Sequence, residues 1–331
     1  MEVLPGNIAV VLSAVLVGVA FGYVLQRGRY CVNTAFRDII FINDLTLFRA
    51  YVLSVVVAII GANLFEDMGW LGSWTDPETG EVIPNTLGRQ AFAPVANILG
   101  GYLFGLGMVL AGGCGSGILY RVGEGLVAAL VAVMGFAAGI LMTLKGLLRP
   151  LYLWLRSYKV SIGTDEWGDP IYSFGLHDLF GGSVAAKWVI IAIITVAAGV
   201  FLLKGQPFQK GSGKGYKWSV AGLLIGILAV VGWWASGVWG QDPRGISFTG
   251  PLGELSLALL TGNSDSARQM FDFFGYKVTW SALLIVGVPV GSYLSARALK
   301  EFALKAPDAK ELLTVFGGGL LMGFGAATGG G

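Results

Sequence analysis

Eight long apolar runs constrain this chain more than any other feature of its sequence. They cover residues 8–25, 47–64, 92–111, 126–144, 184–203, 220–238, 280–296 and 312–327. A helix needs about 20 predominantly apolar residues to cross the hydrocarbon core of a bilayer. Only 13% of the residues are charged, against about 25% in a soluble globular domain. The sequence therefore predicts an all-α, polytopic integral membrane protein.

A dense glycine cluster interrupts one of these hydrophobic regions. Residues 101–125 run through Ala-Gly-Gly-Cys114-Gly-Ser-Gly and end in a short apolar segment. Glycine inside a helix costs about 1 kcal/mol per residue relative to alanine, so a continuous membrane helix would not contain such a cluster. We expect the helix to break at membrane depth, with Cys114 at the break.

Several shorter segments cannot cross a membrane. The apolar segments 39–42, 118–120 and 252–260 suit re-entrant or half helices. Residues 145–158 alternate basic and aromatic or apolar side chains, which predicts a helix at the membrane interface. A distorted end of the preceding span is the alternative.

A short frame, Gly-x-x-φ-Gly with φ apolar, recurs along the chain, and we compare the copies that begin at residues 18, 101, 222 and 319. In the first two copies Cys31 and Cys114 each follow the first glycine by 13 residues. The same spacing selects Ala235 in the third copy. The fourth copy passes through Gly330 and Gly331, and the chain ends one residue before the equivalent position. Four re-entrant or broken-helix elements are therefore expected.

Four elements in two pairs predict two pseudo-symmetric halves around a central path. The first half is residues 1–203, with elements at Cys31 and Cys114, and residues 204–217 form a basic cytoplasmic linker. The second half is residues 218–331, with elements at Ala235 and Gly331, and we expect it to be incomplete at its C-terminal end. Broken helices at matching positions of repeated halves point to a transport site near the midplane. Chance similarity between glycine-rich helices is the alternative, which the identical spacing to both cysteines disfavours.

Positive charge is concentrated in three segments, 27–49, 204–217 and 297–310, with four Lys or Arg residues in each. The loops 66–81 and 164–178 are acidic. Cytoplasmic loops of membrane proteins carry an excess of Lys and Arg, so we expect the three segments to be cytoplasmic and the N-terminus to lie outside. Three basic residues disagree with this orientation: Arg149, Arg156 and Lys159.

Two segments resemble signature motifs of the YeeE/YedE family of bacterial membrane proteins. Residues 27–38, RGRYCVNTAFRD, resemble R-x-x-x-C-x-x-x-A-F-R-D, and residues 109–125, VLAGGCGSGILYRVGEG, resemble A-G-G-C-x-x-G-x-x-Y-R-x-x-E-G. The resemblance implies uptake of thiosulfate across the bacterial inner membrane, which would make the N-terminus periplasmic. It implies inward-pointing loops with cysteines along a central path. We expect no cofactor.

The resemblance also implies a partner and a further cysteine. A small cytoplasmic sulfurtransferase of the TusA-like type often acts beside members of this family, and some members handle selenium or other sulfur compounds. The family has another cysteine near its C-terminus, in Gly-Gly-Cys followed by glycine and histidine. This chain ends in glycines without that cysteine. We expect it to be truncated or to lack that position.

Thiosulfate is a dianion, and charge inside a membrane is costly unless donors compensate it. Successive glycine N–H groups and the positive end of a half helix supply such donors, and a neutral thiol adds a weak S–H donor. We predict that the cysteines relay the anion by hydrogen bonds, without a covalent intermediate. The candidate path residues are Cys31, Asn33, Arg37, Gly112, Gly113, Cys114, Gly115, Ser116, Arg121, Glu124, Ala235, Gly330 and Gly331.

Several of these residues have structural alternatives. A lone cysteine is often a small buried hydrophobe, and Asn33 could cap a helix instead of binding substrate. Arg37 with Asp38, and Arg121 with Glu124, could gate the path, but charge-paired loop anchors are slightly favoured.

The enzyme alternative is a membrane thiol–disulfide oxidoreductase that uses Cys31 and Cys114. Redox pairs usually form C-x-x-C motifs or have a cofactor site, and the sequence contains neither. One histidine and two cysteines are too few for the usual zinc, haem or iron–sulfur sites. A net charge of +2 is too small to imply a nucleic-acid partner.

Overall fold

The computed structural model describes residues 5–75, 82–88, 90–164, 170–206, 215–264 and 270–330. Over these residues the chain is mostly helical, and eight helical segments are long and apolar enough to cross a membrane. They are Ile8–Ile42, Thr46–Asp67, Pro94–Gly123, Val127–Leu144, Val184–Leu203, Trp218–Val238, Trp280–Leu299 and Ala309–Gly329. The prediction of a polytopic membrane protein is confirmed.

Twelve α-helices occur in the described residues. They are α1 (Pro5–Gly28), α2 (Val32–Ile42), α3 (Thr46–Asp67), α4 (Pro94–Leu110), α5 (Gly115–Gly123), α6 (Val127–Leu144), α7 (Arg149–Ser157), α8 (Val184–Leu203), α9 (Trp218–Val238), α10 (Thr249–Thr261), α11 (Trp280–Leu299) and α12 (Ala309–Gly329). The short segments 39–42, 118–120 and 252–260 belong to α2, α5 and α10, which have 11, 9 and 13 residues and are too short to span. The predicted helix within 145–158 is α7, with a proline in its first turn.

Side chains mark where several helices begin. The hydroxyls of Ser183 and Thr279 accept hydrogen bonds from the third backbone N–H of α8 and α11. The Asp308 carboxylate does the same for α12. Such N-caps satisfy N–H groups that have no partner inside the helix.

Two antiparallel hairpins qualify the all-α prediction. β1 (Ser73–Thr75) pairs with β2 (Val82–Pro84), and β3 (Phe271–Phe273) pairs with β4 (Tyr276–Val278), with Asp272 opposite Lys277. The second hairpin turns at Phe274 and Gly275, which both have positive φ, as the two-residue turns of hairpins require. Strands of three residues are too short for an alternating pattern to predict them.

The helices before the breaks run in opposite directions. We call one membrane end the basic face: there Arg29 pairs with Glu301 at 2.7 Å, and the Tyr216 N–H donates to the Arg27 carbonyl at 2.9 Å. We call the other end the hairpin face. α1 and α4 run toward the basic face, whereas α9 begins there beside Arg27 and α12 runs antiparallel to α4, with Gly329 against Gly100.

Glycines of the repeated frame bring helices into close contact. Gly18 and Gly22 of α1 lie against the backbone of α11, and a Cβ at Gly22 would lie 2.0 Å from the Val288 carbonyl oxygen. In the same way the third frame packs on α3 and the fourth on α6. The second frame differs, because a Cβ at Gly101 or Gly105 would meet no atom of the described residues within 4 Å.

The predicted position of the third break is wrong. Ala235 is fully buried inside α9, which continues to Val238, and the interruption covers residues 239–248. The second element breaks at consecutive glycines, of which Gly112 has a φ of 73°. The third copy has no adjacent glycines near Ala235, and alanine is the strongest helix former, so the helix continues.

Two other predicted segments fall partly outside the described residues. Gly330 ends α12 in the left-handed conformation, and Gly331 is not described. Residues 207–214 of the predicted linker 204–217 are also not described.

We expect Gly22→Ala to lower the thermal unfolding midpoint in detergent, because its Cβ would overlap the α11 backbone. Overpacking of this kind costs about 1–3 kcal/mol. Gly105→Ala, at the matching frame position, is the control and should leave the midpoint unchanged or raise it. Tryptophan fluorescence during heating would measure both, and equal midpoints for the two variants would contradict this packing.

Candidate functional site

The two cysteines lie at helix breaks, as predicted. Cys31 is the N-cap of α2 and Cys114 is the N-cap of α5, and both have extended backbones. Their Sγ atoms are 3.7 Å apart, and both residues are buried, with exposed fractions of 2% and 6%. Residues 83 positions apart in sequence thus form one buried dithiol.

Polar and small groups of α5 surround the dithiol. The Ser116 hydroxyl is 3.4 Å from the Cys114 sulfur. A Cβ at Gly117 would lie 2.8 Å from the Cys31 sulfur and 3.3 Å from the Cys114 sulfur. Gly117 was not among the predicted path residues, although the motif A-G-G-C-x-x-G contains it. Only a residue without a side chain fits between α5 and the two thiols.

Arg121 supports the second break. Its Nη1 donates a hydrogen bond to the carbonyl of Gly112, where the chain turns with positive φ. Its guanidinium also lies 5.9 Å from the centre of the Tyr120 ring. A carbonyl freed by a broken helix needs such a partner. The structural alternative for Arg121, an anchor of the break, therefore has direct support.

The other charged and polar candidates make contacts of their own. Arg37 pairs with Asp38 at 2.8 Å and its side chain is 59% exposed. Asn33 donates from Nδ2 to the Met108 carbonyl at 3.3 Å, which joins α2 to α4. Asn33 thus ties two elements together, whereas Arg37 forms a local ion pair within α2.

Glu124 lies at the end of α5, toward the basic face. Its Oε1 accepts a hydrogen bond of 3.2 Å from Gln26, in the last turn of α1. Burial raises the pKa of the Glu124 carboxyl above its ordinary value, and the hydrogen bond from Gln26 and the charge of Arg121 oppose this rise.

The loop at the third break contacts the start of α5 at the second break. Phe248, the last residue before α10, lies beside Gly115, where an added Cβ would be 3.5 Å from the Phe248 Cβ. The Ser236 hydroxyl accepts hydrogen bonds of 3.2 Å from the N–H groups of Arg244 and Gly245, which holds the loop against α9. Sequence reasoning chose Ala235, next to the residue that orders this loop.

The fourth element lies elsewhere. Gly330 is beside Gln90 and Arg156, and Arg156 donates to the Thr328 carbonyl at 3.3 Å. The preceding Gly329 lies against Gly100, ten residues before Leu110 at the end of α4, which is roughly 15 Å at 1.5 Å per helical residue. The structure brings together Cys31, Cys114, Gly115 and Ser116 from the predicted set, and Gly330 is not near them.

One family model and several known proteins match the chain. The family model described as sulphur transport matches residues 27–331. The thiosulfate transporter TsuA of Spirochaeta thermophila is 32% identical over 96% of this chain and 88% of that protein. TsuA of Escherichia coli K12 is 27% identical over 98% and 85% of the two chains. The probable transporter YedE of Escherichia coli K12 is 33% identical over 34% of this chain and 24% of its own.

We expect Gly117→Ala to destabilise the protein by about 1–3 kcal/mol, because the new methyl group overlaps the Cys31 sulfur. Removal of that sulfur in the double variant Gly117→Ala/Cys31→Ala should restore most of the loss, since contacting residues are not additive. Thermal unfolding of the single and double variants measures the coupling. Gly115→Ala is the control, because its Cβ makes ordinary contacts, and strictly additive effects would contradict the proximity of Gly117 to the thiols.

Proposed function

We propose, from the premise that the chain belongs to the sulphur transport family, that it takes up thiosulfate across a bacterial inner membrane. The resemblance first indicated by the motifs around Cys31 and Cys114 is confirmed, and the family is one of transporters rather than enzymes. Two relatives named as thiosulfate transporters match nearly the whole chain. The observation that carries the proposal is the buried dithiol, 3.7 Å between sulfurs, at two helix breaks.

The groups around the dithiol suit a small dianion. α2 and α5 both begin directly after a cysteine, so the unpaired N–H groups and positive dipole ends of two helices converge on the thiols. Helix N-termini are anion sites for this reason. The Ser116 hydroxyl adds another donor. These groups would compensate the substrate's charge without an unpaired positive charge in the membrane.

The thiols act in this proposal as neutral hydrogen-bond donors. Burial disfavours a free thiolate, and S–H groups donate weakly. Weak successive sites let an ion enter without trapping it. We therefore propose a relay from thiol to thiol with no covalent intermediate.

The arrangement of the helices supports two inverted halves, 1–203 and 218–331. A long helix, a short helix and a long helix follow one another in α1–α2–α3, α4–α5–α6 and α9–α10–α11. The pseudo-symmetry would exchange α1 with α9 and α3 with α11. It therefore relates the contact between α1 and α11 to the contact between α9 and α3, and both contacts are extensive. Inverted repeats with broken helices at their interface are typical of transporters with a central site. In this scheme residues 239–248 replace Ala235 as the third element.

We propose further that the basic face is cytoplasmic, which makes the N-terminus periplasmic. That face carries Arg27, Arg29, Lys300 and Lys305, and an excess of basic residues is typical of cytoplasmic loops. A TusA-like sulfurtransferase would receive the sulfur compound at this face.

We expect Cys114→Ala to reduce thiosulfate uptake at least tenfold, because the alanine side chain cannot donate a hydrogen bond. Cys114→Ser should retain part of the uptake, since its hydroxyl still donates. The measurement is accumulation of radiolabelled thiosulfate, and growth, in cells that depend on external thiosulfate. Val196→Ala, on an exposed position of α8, is the control, and undiminished uptake by Cys114→Ala would refute the relay.

A further inference from the structure

A buried glutamine joins two carboxylates at the basic face. Gln26, in the last turn of α1, has no exposed surface. Its Nε2 donates to Glu124 Oε1 at 3.2 Å and to Glu301 Oε2 at 3.1 Å. The amide therefore ties together the ends of α1, α5 and α11.

The other end of this amide has no partner. Gln26 Oε1 is buried and accepts no hydrogen bond from any residue that the structure describes. Buried polar atoms are normally paired. The present orientation of the amide, with its N–H groups toward both carboxylates, is the one that two ionised carboxylates require.

The charges around Glu124 are balanced when both carboxylates are ionised. Arg121 and Tyr120 face it from its own helix, and Arg29 and Glu301 face it from the segments that follow α1 and α11. Arg29 pairs with Glu301 at 2.7 Å. Two carboxylates and two guanidinium groups give a local charge of about zero by the ordinary ionisation of these side chains.

A proton on Glu124 would supply the donor that the amide oxygen lacks. A protonated Glu124 carries an O–H donor, and this O–H could donate to Gln26 Oε1 while the other Glu124 oxygen still accepts from Nε2. The second N–H of the amide would stay on Glu301. The same site can thus hold either protonation state of Glu124 with the amide in its present orientation.

We propose that Gln26, Glu124 and Glu301 form a proton-binding site at the basic-face end of the substrate path, with Glu124 as the group that takes the proton. The proton comes from the solution at the basic face and returns there. Burial favours the neutral form of a carboxyl, which makes Glu124 the candidate for proton binding, whereas Glu301 forms an ion pair with Arg29.

Proton binding at Glu124 would also affect the flux of substrate, and this step rests on the proposed function. Arg121 lies between Glu124 and the break at Gly112. Neutralising Glu124 changes the local charge from about zero to about +1, which lowers the repulsion met by a dianion leaving the path. Thiosulfate uptake should therefore increase as Glu124 becomes protonated.

Infrared titration of the purified full chain tests proton binding without any substrate. We expect a carboxylic-acid C=O band that persists at pH values above the ordinary titration range of glutamate and disappears in Glu124→Gln. Glu311→Gln, an exposed carboxyl in the first turn of α12, is the control and should keep the band. Gln26→Leu, which removes the bridge, is the second variant and should shift the titration. A band that Glu124→Gln leaves unchanged would overturn the proposal.

Uptake into proteoliposomes tests the coupling. With equal pH on both sides, over a range that extends from the ordinary titration range of glutamate to higher pH, initial uptake of radiolabelled thiosulfate should rise several-fold as the pH falls, because burial raises the pKa of Glu124. Glu124→Gln should transport at the low-pH rate at every pH, and Glu311→Gln should keep the wild-type profile. If Glu124→Gln kept the wild-type dependence of uptake on pH, the coupling between proton binding and transport would be refuted. Absence of transport by the wild type at every pH would instead refute the proposed function, and the infrared titration would still decide the proton site.

Discussion

The whole arrangement depends on one requirement, that backbone polar groups inside a membrane must find partners within the protein. Continuous helices meet it by themselves, but a broken helix leaves N–H and carbonyl groups free, and such backbone is tolerated only where protein covers it. Here the breaks before α2 and α5 are covered, and Cys31 and Cys114 are buried. The Gly112 carbonyl, which has lost its helical partner, accepts a hydrogen bond from Arg121. In the proposed function, the N–H groups at the starts of the two short helices are the donors to the anion.

Close helix packing keeps these breaks covered. Gly18 and Gly22 let the backbone of α1 contact the backbone of α11. Gly319 and Gly323 do the same for α12 and α6. In lipid the hydrophobic effect does not drive helices together. Van der Waals packing at small residues, which lets the backbones approach closely, drives their association instead. In three of the four copies compared, the frame thus brings two helices into close contact, and the distance from the frame to the break varies. This explains why counting residues from the frame located two breaks and missed the third.

Two other sets of charges near the membrane are paired. Lys187, in the first turn of α8, is buried and bonds Asp67, whose other oxygen accepts from the Trp188 indole at 2.8 Å. Arg244 pairs with Glu254 at 2.8 Å beside the third break. Since unpaired charge is costly there, such sets act as anchors. The cluster of Gln26, Glu124 and Glu301 differs from them because one buried atom of its amide is unpaired.

The sequence by itself determined what depends on local pattern: the eight spans, the short helices, the breaks at both cysteines and the family. It indicated Arg121 as an anchor, and the motif contained Gly117, which was overlooked. Only the tertiary structure decided that Cys31 and Cys114 meet, that residues 239–248 form the third break, and that Gln26 bridges carboxylates 98 and 275 positions away. The physical reason is that hydropathy and glycine content act within one or two turns of helix. Contacts between distant breaks depend on how whole helices pack against one another, and no local pattern contains that information.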